Sequence, residues 1–304
     1  MARFGEVLTA MVTPFHANGD LDLDGAVTLA KWLVEQGNDG LVIAGTTGEA
    51  STLSDDEQLS LIEAVANNVT VPVIAGAGSN DTRHAVHLTS QMATVGAAAV
   101  LTVTPYYNRP GQSGIEAHFR AVCAATELPV IIYDIPVRTG RKIAHDTFIR
   151  LAREVKNVVA VKDAAADIAA TARLMADVPA GFELYSGNDD HTLALLALGG
   201  EGVIGVATHW CAAEHKDMIT SFKKGDLQHA RDINARLVES FTFETCDATP
   251  NPLPTKAMLR TLGMPSGQCR LPMGEAPSSL EDRAREVYTA LSAHRSAHLS
   301  GATS

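Results

Sequence analysis

Val158-Val159-Ala160-Val161-Lys162-Asp163 is a short apolar run closed by a lysine. Its β-branched residues between polar flanks predict a buried strand. A lysine at the mouth of such a strand is out of place, because ammonium groups are rarely buried unless paired. Two readings follow. Lost hydration disfavours the charged form and lowers the pKa, leaving an amine able to attack a carbonyl and form a Schiff base. Alternatively, Lys162 simply opens the next loop and turns its head to solvent.

Seven other runs share this character. They are Val7-Leu8-Thr9-Ala10-Met11-Val12, Gly40-Leu41-Val42-Ile43-Ala44, Val71-Pro72-Val73-Ile74-Ala75, Ala98-Ala99-Val100-Leu101-Thr102-Val103, Pro129-Val130-Ile131-Ile132-Tyr133, Glu183-Leu184-Tyr185-Ser186 and Gly202-Val203-Ile204-Gly205-Val206. Their weak polar/apolar alternation suits parallel strands covered on both faces. The segments between them read as helices. Asp24 to Gln36 places Ala26, Leu29, Ala30 and Leu33 on one face, and Ser54-Asp55-Asp56-Glu57 is a capping box. Eight such units predict an α/β fold, a (β/α)₈ TIM barrel, over residues 1–224. An open doubly wound sheet is the alternative, but no G-x-G-x-x-G follows the first run. The strand pattern then stops. Asp226 to Glu239 and Ser279 to His294 read as helices around the turn-rich Pro250-Asn251-Pro252-Leu253-Pro254, so 225–304 is expected to be a C-terminal helical domain. Ser296 to Ser304 reads as a frayed tail.

Composition narrows the function classes. The chain has 304 residues, 46% of them apolar, enough for a large core. A formal net charge of −11 argues against nucleic acid or an anionic membrane as partner. Cys123, Cys211, Cys246 and Cys269 form no C-x-x-C pair and fit a reducing cytosol. The N-terminus has no signal-like core, and no run approaches the roughly 20 residues of a membrane span. A cytoplasmic protein is expected.

Barrel register converts scattered residues into one constellation, since strand ends and the loops after them gather at the C-terminal mouth. Lys162, Tyr133, the pair Thr46-Thr47, the pair Tyr106-Tyr107, Arg138 and Gly187 all fall there. Gly45-Thr46-Thr47-Gly48-Glu49 offers hydroxyls and flexible backbone N–H groups for an anion, or is a tight turn and no more. In Thr104-Pro105-Tyr106-Tyr107-Asn108-Arg109-Pro110 one tyrosine is expected to pack while the other projects, as at a subunit boundary. Tyr133-Asp134-Ile135-Pro136-Val137-Arg138-Thr139-Gly140 joins a phenol suited to proton transfer to a guanidinium suited to a carboxylate, unless it is an ordinary strand end with a surface arginine.

Together these three segments, with Val161-Lys162-Asp163, resemble the motif set of the pyruvate-dependent class I aldolases, and within them the dihydrodipicolinate synthases of lysine and diaminopimelate biosynthesis. The resemblance extends over nearly the whole chain. It implies that Lys162 forms an imine with pyruvate, with Thr46, Tyr107 and Tyr133 as proton relay and Tyr107 reaching in from the neighbouring subunit of a tight dimer. It implies that Thr47 binds the pyruvate carboxylate and Arg138 that of aspartate-4-semialdehyde, while Gly187 and Ile204 line the pocket through main-chain carbonyls. The expected product is 4-hydroxy-tetrahydrodipicolinate, made by a homotetramer of two tight dimers without metal or organic cofactor.

The rivals are an N-acetylneuraminate lyase, a 2-keto-3-deoxy sugar acid aldolase, and a catalytically silent ligand-binding barrel. Arg138 weighs against the sugar substrates, because a guanidinium facing a polyol is poorly paired. A metal-dependent aldolase finds no ligand cluster; His84 and His87 read as a solvated face of a polar helix, far from the strand ends. Two departures from the family pattern stand out. Asp134 replaces the usual asparagine and is expected to point away from the mouth. Where lysine-inhibited members carry their regulatory residues, this chain has Asp55, Gln58 and His84, so weak or absent inhibition by lysine is expected.

Overall fold

Each of the eight runs forms a strand of a closed parallel barrel in the order β1-β2-β3-β4-β5-β6-β7-β8 in the computed structural model, which describes residues 2–301 and side chains to residue 293. The strands are β1 (Val7–Ala10), β2 (Gly40–Ile43), β3 (Val73–Gly76), β4 (Ala99–Val103), β5 (Val130–Asp134), β6 (Val158–Asp163), β7 (Glu183–Ser186) and β8 (Gly202–Gly205). Nearly every strand residue is buried, as the weak alternation requires of strands covered on both faces. Leu8, Val42, Ile74, Ile131, Tyr133, Ala160, Tyr185 and Ile204 meet in a cluster within the barrel.

An outer helical layer covers the strands: α1 (Leu23–Glu35), α2 (Asp55–Ala66), α3 (Thr82–Gln91), α4 (Gln112–Ala124), α5 (Pro136–Thr139), α6 (His145–Glu154), α7 (Ile168–Asp177), α8 (Thr192–Leu196) and α9 (Thr208–Lys223). Helix α1 buries Ala26, Leu29, Ala30 and Leu33, the face expected from their spacing. Ser54 caps α2 reciprocally with Glu57, an arrangement that satisfies two otherwise orphaned N–H groups. Arg138 lies on the single turn of α5 rather than in an irregular loop, because Pro136 presets the first helical φ and Gly140 ends the turn at φ 71.

Three helices follow, α10 (Leu227–Phe243), α11 (Leu253–Thr261) and α12 (Ser279–Gly301). They share a core with α9 in which Trp210, Met218, Ile233, Leu237, Phe241, Met258 and Val287 are buried. Each such large apolar side chain contributes about 1.5–3 kcal/mol. Helix α12 runs past His294 to Gly301, so residues 296–301 do not form the expected frayed tail. The chain there is free of Pro and Gly until Gly301. Residues 302–304 lie outside the described part.

The C-terminal helices also grip the loop after β2. Lys256 of α11, 1% exposed, pairs with Glu49 at 2.6 Å and donates to the Gln268 carbonyl at 3.0 Å. Arg270 donates its N–H to Glu49 at 2.9 Å and its guanidinium to Glu57 at 2.5 Å. Both cations lie over the Phe15 ring at 4.3 Å. The segment carrying Thr46 and Thr47 is thus clamped from outside the barrel.

Candidate active site

Strand alternation aims Tyr133 and Lys162 to the same side of the sheet, and β5 and β6 pair them in register. Lys162 is 4% exposed, and its Nζ lies over the Tyr133 ring, 4.5 Å from the centroid. The loop-opening, solvent-facing reading of Lys162 therefore fails. Burial pushes the amine down to about 8, with the Arg138 charge acting the same way and Asp189 and Glu244 opposing. Burial pushes the Tyr133 phenol up to about 12, moderated by the Arg138 charge and a hydrogen bond with Thr46. A phenol so shifted keeps its proton at neutral pH, and moves it only in exchange with a neighbour such as Thr46.

Beside Tyr133 opens a cavity of about 490 Å³, lined by Thr46, Tyr106, Tyr107, Tyr133 and Arg138 among others; Lys162 does not line it but lies against the Tyr133 ring that does. The remaining expected residues stand behind its wall. Thr47 is buried, and its Oγ1 accepts a hydrogen bond from Asn251 Nδ2 at 2.9 Å, while Thr255 donates to Asn251 Oδ1 at 3.2 Å. With that lone pair occupied, the Thr47 hydroxyl proton is free to point elsewhere. A Cβ at Gly187 would lie 3.1 Å from Lys162 Cγ and 2.8 Å from Ala164 Cβ, so only glycine lets this segment pass. Ile204 is fully buried on β8, in the inner cluster with Tyr133.

The adjacent tyrosines divide as expected, Tyr106 partly covered and Tyr107 projecting. Tyr107 is 89% exposed and holds φ 71, a left-handed conformation that costs a non-glycine residue energy. Asp134 faces away from the mouth, bonded to Lys142 and to the N–H of Ile143.

His84 departs from expectation. It lines the same cavity rather than a remote solvated face. Its Nε2 meets Asp55 at 2.8 Å and its Nδ1 meets Ser79 at 3.1 Å. Helix α3 starts directly after the β3 loop, which brings its first turn to the mouth. Among the described residues, no group of three or more His, Cys, Asp or Glu is placed to hold a metal ion.

Three neighbours of the site escaped the sequence reading: Asn251, Asp189 and Glu244. Asn251 and Glu244 lie far along the chain from the motifs they touch, and no local spacing points to them. Asp189 had a usable signal, since it follows Gly187 after β7, where a barrel places functional loops.

A parallel (β/α)₈ barrel with a buried amine and an arginine-lined cavity at its C-terminal mouth defines a TIM-barrel protein whose site lies where barrel enzymes work. The chain belongs to the dihydrodipicolinate synthetase family, whose profile matches residues 3–293. The 4-hydroxy-tetrahydrodipicolinate synthase of Acidothermus cellulolyticus is 47% identical over 293 residues, covering 95% of this chain and 93% of that protein. The protein of the same name from Moorella thermoacetica is 45% identical over 273 residues, covering 89% and 92%. Among solved structures, DHDPS from Cyanidioschyzon merolae with lysine bound is similar at a TM-score of 0.92 and 42% identity, covering 95% and 98% of the two chains.

Proposed function

We propose that the chain condenses pyruvate with aspartate-4-semialdehyde to 4-hydroxy-tetrahydrodipicolinate through an imine on Lys162. The observation that carries this reading is the Lys162 amine, buried against the ring of Tyr133, which lines a cavity together with Arg138. With the amine near 8, on the order of a tenth is uncharged at pH 7, against under about one in a thousand for an exposed lysine. That free amine adds to the ketone and expels water. Loss of a methyl proton from the resulting imine leaves a nucleophilic enamine, the protonated imine nitrogen having served as electron sink. Neither a metal nor an organic cofactor is required for this step.

Thr46, Tyr133 and Tyr107 carry the proton, along the Thr46–Tyr133 hydrogen bond. Thr47 donates its free hydroxyl hydrogen to the pyruvate carboxylate. Arg138 binds the carboxylate of the second substrate at the rim, while Gly187 and Ile204 supply carbonyls to the wall. The enamine attacks the aldehyde, and the substrate's own amine then closes the ring and releases Lys162. Tyr107, so exposed on its own chain, reaches into the relay of the neighbouring subunit. A tight dimer, paired into a tetramer, supplies that exchange. Four free thiols support a reducing cytoplasmic setting, and no described helix is long and apolar enough to cross a membrane.

Two assays test the reading. Borohydride with pyruvate should leave a covalent adduct on Lys162; failure to trap one sinks the imine. Turnover should appear with pyruvate plus aspartate-4-semialdehyde, and not with N-acetylmannosamine or in 2-keto-3-deoxy sugar acid cleavage. Turnover of a sugar substrate alone would overturn the role of Arg138.

The His84–Asp55 pair bears on regulation. The aspartate that would hold an ammonium group already faces an imidazole at 2.8 Å, and Gln58 beside it carries no charge. Lysine is expected to inhibit weakly or not at all. Half-inhibition at about 1 mM, an ordinary ligand affinity, would break that expectation.

A further inference from the structure

Three titratable side chains meet between the ends of β7 and β8 and the C-terminal helices. Asp189 opens a 3-10 turn after β7, is wholly buried, and accepts the Val206 N–H at 2.8 Å through Oδ2. Glu244, just beyond α10, accepts the next N–H, that of Ala207, at 3.1 Å and shares a hydrogen bond with Asp189. Two carboxyl side chains therefore hold two successive N–H groups at the exit of β8, two residues beyond Ile204. The fit is close: a Cβ at Gly205 would lie 2.4 Å from Asp189 Oδ1. His215 of α9 donates from Nδ1 to the Cys211 carbonyl at 2.9 Å, and its Nε2 faces Asp189 Oδ1 at 3.5 Å.

Two carboxyl groups hydrogen-bond only through a proton. Glu244 holds it, because burial and the Asp189 charge push its carboxyl well above the usual range, with Asp190 acting the same way. The pair then carries a single negative charge, which favours the Lys162 ammonium against burial and Arg138.

We propose that Asp189, held by the protonated carboxyl of Glu244, is a positioning residue for imine formation: it pins the main chain after Ile204 and supplies negative charge that opposes desolvation of the Lys162 ammonium. The proposal rests on the reading of Lys162 as the imine-forming residue. It places the control of the amine's charge in the joint between barrel and C-terminal helices.

The test is the rate at which cyanoborohydride traps pyruvate on Lys162, followed against pH in the full-length protein, Glu244→Gln and the double variant Asp189→Asn/Glu244→Gln. Asp189→Asn alone would let Glu244 ionise in its place, because the Asp189 charge is what keeps that carboxyl protonated. In the double variant asparagine can still accept from Val206 and neither side chain carries charge. Its acid limb is expected about one pH unit lower, with about tenfold more free amine below the limb. Glu244→Gln is expected to leave the limb in place, since the amide donates to Asp189 as the protonated acid does. A limb unmoved in the double variant, or moved as far in Glu244→Gln, overturns the proposal. An infrared band of a protonated carboxyl at neutral pH, removed by Glu244→Gln, is expected in the unsubstituted protein; its absence overturns the proposal even where the double variant fails to fold. An unsubstituted protein that traps no pyruvate breaks the imine reading and this inference with it. One that traps while the double variant keeps its limb breaks this inference alone.

Discussion

The ends of β5 and β6 bury ionisable side chains on both faces of the barrel wall, and the two faces treat them differently. Tyr133 pairs with Lys162 facing inward, and one residue on, Asp134 pairs with Asp163 facing the helices. On the outer face Asp163 accepts the Ala165 N–H at 2.8 Å and the Thr171 hydroxyl at 2.5 Å, while Asp134 lies 3.4 Å from Lys142. On the inner face the Lys162 amine meets an aromatic ring instead of a carboxylate. Burial is nearly equal on the two faces, so burial alone does not mark function. The mark is burial without the partners that would satisfy the charge, which leaves a group ready to react.

The comparison is broken most easily at Lys162. Lys162→Met should lower turnover by at least about 10³-fold, as losing a covalent nucleophile does, and should abolish pyruvate trapping. Stability should move the other way. The amine drops from 10.5 to about 8 on folding, so below pH 8 the fold holds a desolvated ammonium. That costs up to about 3 kcal/mol, relieved as pH climbs through the window between the two values. Urea denaturation near neutral pH should show Lys162→Met more stable than the parent protein. A less stable variant would mean that the inner face is as well partnered as the outer.

On the outer face the signs reverse. Asp163→Ala leaves the Ala165 N–H and the Thr171 hydroxyl without their buried acceptor, and should cost about 2–3 kcal/mol of stability. The folded variant should still trap pyruvate on Lys162. A stable Asp163→Ala protein unable to form the adduct would make Asp163 part of the chemistry and dissolve the contrast.

Between these extremes stands Asn251, a satisfied group that serves an unsatisfied one. Asn251→Ala frees the Thr47 hydroxyl to turn away from the pocket. The expected result is a pyruvate KM raised about tenfold with a smaller change in kcat, the pattern of lost ground-state binding. An unchanged KM would show that Thr47 is held by its backbone alone.

Asn251 also marks how far a sequence can be read. Strand runs, the α1 face and the Ser54 capping box are local patterns, and they appear where spacing places them. The strand ends then carry Lys162, Tyr133 and Arg138 to one mouth without any contact having to be known. The supports are another matter. Asn251 and Thr47 are 204 positions apart, and Glu49 closes the Gly45–Glu49 turn while its partner Lys256 comes from α11. Asp189 and Glu244 meet only because the helices after β8 fold back over the barrel. His84 was misplaced for the same reason, since helical periodicity gives a face but not the loop that turns it toward the cavity.

The finest test lies in Asp134, whose two outer-face contacts are both long at 3.4 Å. Burial raises the Asp134 carboxyl from 3.8 to about 6, Lys142 pulling it down and Asp163 pushing it up. The folded state therefore binds this proton more tightly than the unfolded chain. The stability it contributes is present at low pH and is lost as pH rises from about 4 through about 6. Asp134→Asn, which restores an uncharged side chain, removes the cost of burying the anion but also the Lys142 pair, itself worth little where that lysine is 38% exposed. A net gain of about 1 kcal/mol is expected in denaturation at about pH 8, fading at about pH 4, where Asp134 is already neutral in the fold. A gain equal at both pH values would trace to packing rather than titration. A loss at the higher pH would show that Asp134 and Lys142 form a pair as complete as that of Asp163 with Thr171, and the outer face would then hold no unsatisfied charge at all.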